Sequence, residues 1–121
     1  MSHFSEQLRN QTKQIALKTI QLTRQFPQND EGWTIKKQLI RSSTSVAANY
    51  RAACRGRSDK EFYSKLCIAV EELDESLLWL EFTEDLELTN LESIQPIKQE
   101  MKKILSILSS SKQTLRSKLN S

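Results

Sequence analysis

The residues best able to do chemistry are the carboxylates gathered between Glu71 and Asp85: Glu71, Glu72, Asp74, Glu75, Glu81, Glu84 and Asp85. On one helix such a run could supply half of a carboxylate-bridged metal pair, but that site needs Glu-x-x-His pairs from two helices. The chain has one histidine, His3, close to its start. The same shortage removes Ser-His-Asp and Cys-His catalysis, because Ser42, Ser45 and Cys54 have no histidine positioned as a base. Gly32 and Gly56 are the only glycines, so no glycine-rich phosphate loop can be drawn. The expectation is a protein with no catalytic residues, no cofactor-binding residues and no metal ligands, in which the acidic run forms salt bridges or meets solvent.

The elements that carry these residues are helices. Gly and Pro occur twice each in 121 residues, and the length suits one domain with a sizeable core. Helix 1 is expected over about Ser5–Gln25, with Leu8, Ile15 and Leu22 at heptad spacing beside Thr12, Thr19 and Phe26. Phe26-Pro27 ends it. A polar turn through Gly32 leads to helix 2, opened by Trp33 or Thr34 and running to Arg55, with Ile35, Leu39, Ser42, Val46, Tyr50 and Ala53 on its core face.

Gly56 suits a left-handed helix end, and Ser58 through Glu61 reads as a capping box. Helix 3 follows over Asp59–Asp85, its core face Phe62, Leu66, Ala69, Leu73, Leu77 and Leu80, flanked by Tyr63, Val70 and Leu78. The Leu86–Ser93 stretch breaks the period, with Thr89, Asn90 and Ser93 as alternative caps. Pro96 belongs near a helix start, and helix 4 carries Ile97, Met101, Ile104, Leu108 and Leu115. Four such helices with short links give an all-α, antiparallel up-down-up-down four-helix bundle spanning residues 1–121 as a single domain.

Charge is segregated along the chain. Residues 33–60 carry +6, 61–92 carry −9 and 93–121 carry +5, within a net charge of +3. Mutual neutralisation, inside the bundle or between subunits, is the simplest reason for one acidic helix among basic ones. Among the carboxylates of helix 3, away from its core face, sit Ile68, Trp79 and Phe82, the kind of apolar stripe that a second subunit covers. Helix 2 and its turn offer Lys37, Arg41, Arg51, Arg55, Arg57 and Lys60, a ridge able to contact RNA or DNA phosphates, with no aromatic residue on it for stacking. No apolar run could span a bilayer and no signal peptide is visible, so a cytoplasmic protein is expected. Cys54 and Cys67 flank the helix 2–3 turn in positions about 9 Å out of register at 1.5 Å per residue, too far for a disulfide.

Several of these segments together resemble a known family. Phe26-Pro27, the run Arg41-Ser42-Ser43-Thr44-Ser45-Val46-Ala47-Ala48-Asn49, then Arg55-Gly56-Arg57-Ser58 with Glu61-Phe62, and Leu66, Ile68-Ala69 and Glu72 through Glu75 are similar to the 23S rRNA intervening-sequence proteins, sometimes labelled S23 ribosomal proteins. The resemblance covers nearly the whole chain. It implies a small bacterial four-helix bundle that forms ring-shaped homo-oligomers, typically pentamers, related to the accessory protein of diversity-generating retroelements, with no established enzyme activity. Some members are encoded by insertions within large-subunit ribosomal RNA genes, which is a genomic location and not a biochemical role. In the commoner pattern a carboxylate follows shortly after the asparagine, whereas here Asn49 leads into Tyr50-Arg51-Ala52-Ala53.

Overall fold

The computed structural model describes residues 3–121, with side chains from Ser5 onward. The side chain of His3 therefore lies outside the described residues. Four helices follow one another: α1 His3–Thr23, α2 Asp30–Cys54, α3 Asp59–Asp85 and α4 Leu91–Leu119. Each packs on its two neighbours, α1 on α2 and α4, α3 on α2 and α4, and the diagonal pairs do not approach. Short connections make successive helices antiparallel, so the arrangement is the up-down-up-down four-helix bundle that the heptad patterns require.

The core is continuous through all four helices. Leu8, Ile15 and Leu22 from α1, Ile35, Leu39 and Val46 from α2, Leu66, Leu73 and Leu80 from α3, and Ile94, Met101, Ile104 and Leu108 from α4 are buried in one cluster. Each side chain of this size contributes roughly 1.5–3 kcal/mol by leaving water. Tyr50 joins the cluster, its ring meeting Phe62 edge-on at 6.4 Å. Its hydroxyl has Ser5 and Cys54 as hydrogen-bond partners, and burial, followed by the nearby Cys54 thiol, pushes its pKa up from 10.0 to about 12.

Helix ends differ from the sequence expectation in ways that have local causes. α2 begins three residues earlier than Trp33, because the Asn29 side chain caps it, accepting from the Gly32 N–H at 2.9 Å, and Asp30 and Glu31 favour the positive end of the helix. Gly32 is needed there, since a Cβ would lie 2.1 Å from the Pro27 carbonyl oxygen. α4 begins at Leu91, with Asn90 chosen from the three possible caps, accepting from the Ser93 N–H at 2.8 Å. Pro96 thus stands in the second turn, where the bond its N–H would make to the Glu92 carbonyl is missing.

Gly56 is not left-handed: no glycine has positive φ. Its role is space, because a Cβ would meet the Ala53 carbonyl oxygen and the Phe62 nitrogen at 3.1 Å and the Glu61 Cβ at 3.2 Å. The first turn of α3 is pressed onto the end of α2. Ser58 caps α3 by accepting from the Glu61 N–H at 3.1 Å, and the Glu61 carboxylate accepts from the Arg57 N–H, one residue earlier than in the usual reciprocal box.

The left-handed position belongs instead to Glu87, with φ 53°. Around it the Leu88 N–H donates to the Thr83 carbonyl at 3.0 Å and the Glu87 N–H to the Glu84 carbonyl at 3.0 Å, the Schellman pattern, with Leu88 buried beyond it.

Two outcomes test these assignments. Glu87→Gly should stabilise the fold by about 0.5–1 kcal/mol, because glycine enters this region without the Cβ penalty; thermal denaturation reads the difference. Because the native pKa of Tyr50 lies above its unfolded value, the native state holds that proton longer. Its stabilising contribution is full below pH 10 and is lost as pH rises toward 12. Urea midpoints measured across alkaline pH should fall in that window for the wild type and less steeply for Tyr50→Phe.

Candidate functional site

The six cations of the proposed ridge do not converge. Arg41 turns toward α3, its Nη1 lying 3.0 Å from Glu72 Oε2 and its Nη2 bonded to Glu75 Oε1. Gln38, one turn earlier, accepts from the Arg41 Nε–H at 3.1 Å. Glu75 also accepts from the Trp79 indole N–H at 3.3 Å. Arg41 is therefore committed within its own chain. Directly inside this bridge the Ser42 and Ser76 hydroxyls are hydrogen-bonded at 2.7 Å, both fully buried. Small residues here let the two helices come close, and α2 with α3 forms the most extensive contact of the bundle.

Arg51 and Arg55 face the other way, toward α1. With Arg9 and Lys13 they line a cleft of about 610 Å³ whose floor is Ala47 and Ala48. Glu6 is the carboxylate in its wall. Among the described residues none of these four cations makes a salt bridge. Sequence reasoning found Arg51 and Arg55 but not Arg9 and Lys13, whose i, i+4 spacing on α1 was the available signal. Lys37 lies elsewhere, its ammonium 6.0 Å from the centre of the Trp33 ring. That ring is 58% exposed, so the ridge does carry an aromatic residue, contrary to the sequence expectation. Arg57 and Lys60 are exposed in and just beyond the α2–α3 turn.

The apolar stripe of α3 is also redistributed. Ile68 and Trp79 are half-buried, and Trp79 packs against the core, while Phe82 is 41% exposed. Leu78, expected to flank the core, is 45% exposed, and Leu86 is 40% exposed. The cause is the close α2–α3 seam: Ser76 and Thr83 are buried, which rotates the buried arc of α3 toward Trp79 and away from Leu78. The Trp79 and Phe82 rings remain in contact at 5.5 Å. Around them Glu71, Asp74, Glu81 and Asp85 are exposed, and among the described residues none is in a salt bridge.

Among the described residues no three His, Cys, Asp or Glu side chains gather in a way that could hold a metal ion. Cys54 and Cys67 are free thiols. No helix is long and apolar enough to cross a membrane. Glu84, from the acidic run, pairs with Lys98 of α4 at 3.1 Å, and Asp59 with Lys118 at 2.8 Å, which raises the lysine's pKa.

The family model for the 23S rRNA-intervening sequence protein matches residues 6–110, from the α1 wall of the cleft to the last turns of the α4 core. The chain belongs to this family. A crystal structure of a protein of unknown function from the S23 ribosomal protein family of Bacteroides thetaiotaomicron is similar to it, with a TM-score of 0.82 and 27% sequence identity over 90% of this chain and 97% of that one. No curated protein matches the chain. Within the intervening-sequence family pattern, Asn49 has a local task, donating from Nδ2 to the Ser45 carbonyl at 2.9 Å and to the Ser45 hydroxyl at 3.0 Å.

Arg41 holds two acidic groups one turn apart, and removing it leaves Glu72 and Glu75 to repel each other. Arg41→Met should therefore cost about 1 kcal/mol in urea denaturation, a modest figure because the Arg41 side chain is 48% exposed. The loss should shrink in high salt, which screens the bridge and the repulsion alike.

Proposed function

We propose that this chain is a non-enzymatic, homo-oligomeric scaffold or interaction protein of the bacterial cytoplasm. The observation that carries the reading is the outer face of α3, where Leu78, Phe82 and Leu86 stand exposed on successive turns among unpaired carboxylates. Exposed large apolar side chains aligned on one helix are a contact surface, and a polar rim is usual around one. The resemblance of the sequence to ring-forming, typically pentameric proteins agrees with a self-association role. The free thiols Cys54 and Cys67 are in keeping with a reducing compartment.

The alternative, RNA or DNA binding through Lys37, Arg41, Arg51, Arg55, Arg57 and Lys60, has less support from the geometry. Arg41 is neutralised by two carboxylates, and the others are divided between the Trp33 end of α2, the α1 cleft and the turn. A polyanion would have to bridge three separate surfaces to meet them all.

Sedimentation velocity on Phe82→Asp tests the reading. The residue is exposed, so the fold should survive with unchanged helicity, while a charge placed in a dry contact should weaken self-association by at least about tenfold. Wild-type protein that sediments as a monomer at micromolar concentration would refute the proposal.

A further inference from the structure

The exposed face of α3 and the cleft between α1 and α2 have complementary chemistry. On α3, Glu71, Asp74, Glu81 and Asp85 surround the projecting side chains of Leu78 and Phe82. In the cleft, Arg9, Lys13, Arg51 and Arg55 surround the alanine floor. Like most charged side chains of the bundle, these four carboxylates and four cations are in no salt bridge among the described residues, which leaves both sets available to a partner. The apolar parts match in relief as well: large side chains stand out on one surface and small ones leave room on the other.

These two surfaces cannot meet within one chain. α3 is diagonal to α1, and its exposed face points outward, away from the cleft. We propose that the α1–α2 cleft is the receptor for the α3 face of a second copy of this chain. The inference rests on the homo-oligomer reading above and adds what it lacked, the surface on the other side of the contact. Because donor and receptor are different patches, the contact is heterologous: each copy that docks its α3 leaves its own cleft open for the next.

The contact explains why so much like charge is tolerated on each surface. Four cations against the single carboxylate of Glu6 in the cleft, and four carboxylates on one helix face, leave like charges to repel within each surface of the isolated chain, and the docked copy relieves both sets at once. Complementary charge also selects against the wrong pairings, α3 on α3 or cleft on cleft, which set like charges together.

Charge exchange tests the proposal. Arg51→Glu with Arg55→Glu makes the cleft acidic, and Asp74→Lys with Glu81→Lys makes the α3 face basic. All four residues are exposed, so circular dichroism should show both variants fully helical. Each alone should self-associate about 100-fold more weakly than wild type by sedimentation velocity. An equimolar mixture should re-associate, and a chain carrying all four substitutions should regain self-association, because each reversed cleft then meets a reversed α3.

If Phe82→Asp dissociates the wild-type assembly but cleft reversal does not, the homo-oligomer reading stands and this inference falls. A wild type that is monomeric at micromolar concentration removes both. If the cleft variant stays assembled but no longer binds a fluorescein-labelled oligothymidylate at low salt, the cleft serves nucleic acid and the inference is overturned. Should a reversed variant lose helicity, wild-type assembly measured against sodium chloride concentration decides. Dissociation with rising salt supports the charge-matched contact, and indifference to salt overturns it.

Discussion

The bundle depends on how closely α2 and α3 approach one another. Gly56 lets the first turn of α3 sit against the last turn of α2, and the buried Ser42–Ser76 pair keeps the seam narrow further along. Narrowness has two results. It places Arg41 where one guanidinium reaches both Glu72 and Glu75, and it draws the small side chains of α3 inward. A helix is rigid about its axis, so what turns inward on one side must turn outward on the other. Leu78 and Phe82 are exposed because Ser76 and Thr83 are not.

Charge segregation follows the same division. The acidic helix uses Glu72 and Glu75 against α2 and Asp59 and Glu84 against α4, and Glu71, Asp74, Glu81 and Asp85 lie on its outer side. The basic helices spend Arg41, Lys98 and Lys118 in those bridges, and α1 and α2 retain a cluster in their cleft. Neutralisation within the chain is therefore partial, and the remainder is sorted by sign onto different faces. The family's name refers to ribosomal RNA, yet the cations that the sequence offered for nucleic acid are the ones that this sorting scatters.

Much of the fold was legible because heptad spacing is a direct image of burial. Leu8, Ile15 and Leu22, or Ile35, Leu39 and Val46, are buried as their spacing requires. What periodicity could not supply was rotation and distance. The exchange of roles between Leu78 and Trp79 depends on a neighbour's small side chains, which lie some 35 positions away in the sequence. Gly56 looked like a left-handed cap because glycine usually ends helices that way, but crowding from Phe62 and Glu61 was the actual demand. Glu87 took the left-handed place with no glycine to announce it. Arg9 and Lys13 have no signature of a cleft in the pattern of α1 alone, because a cleft is a property of two packed helices.

The seams of the bundle are unequal, and this bears on how it breathes. Of the four neighbouring pairs, α1 with α4 makes the least extensive contact, and it is the one pair that no short connection joins. Lys18 with Glu100, an exposed pair at 3.2 Å, is the one ion pair across it among the described residues. Local opening takes the route of fewest contacts, so amide protons on α1 and α4 near this seam should exchange with solvent through partial separation, while those of the α2–α3 hairpin wait for global unfolding. The molecule is then less a symmetric barrel of four staves than a closed hairpin with two hinged covers.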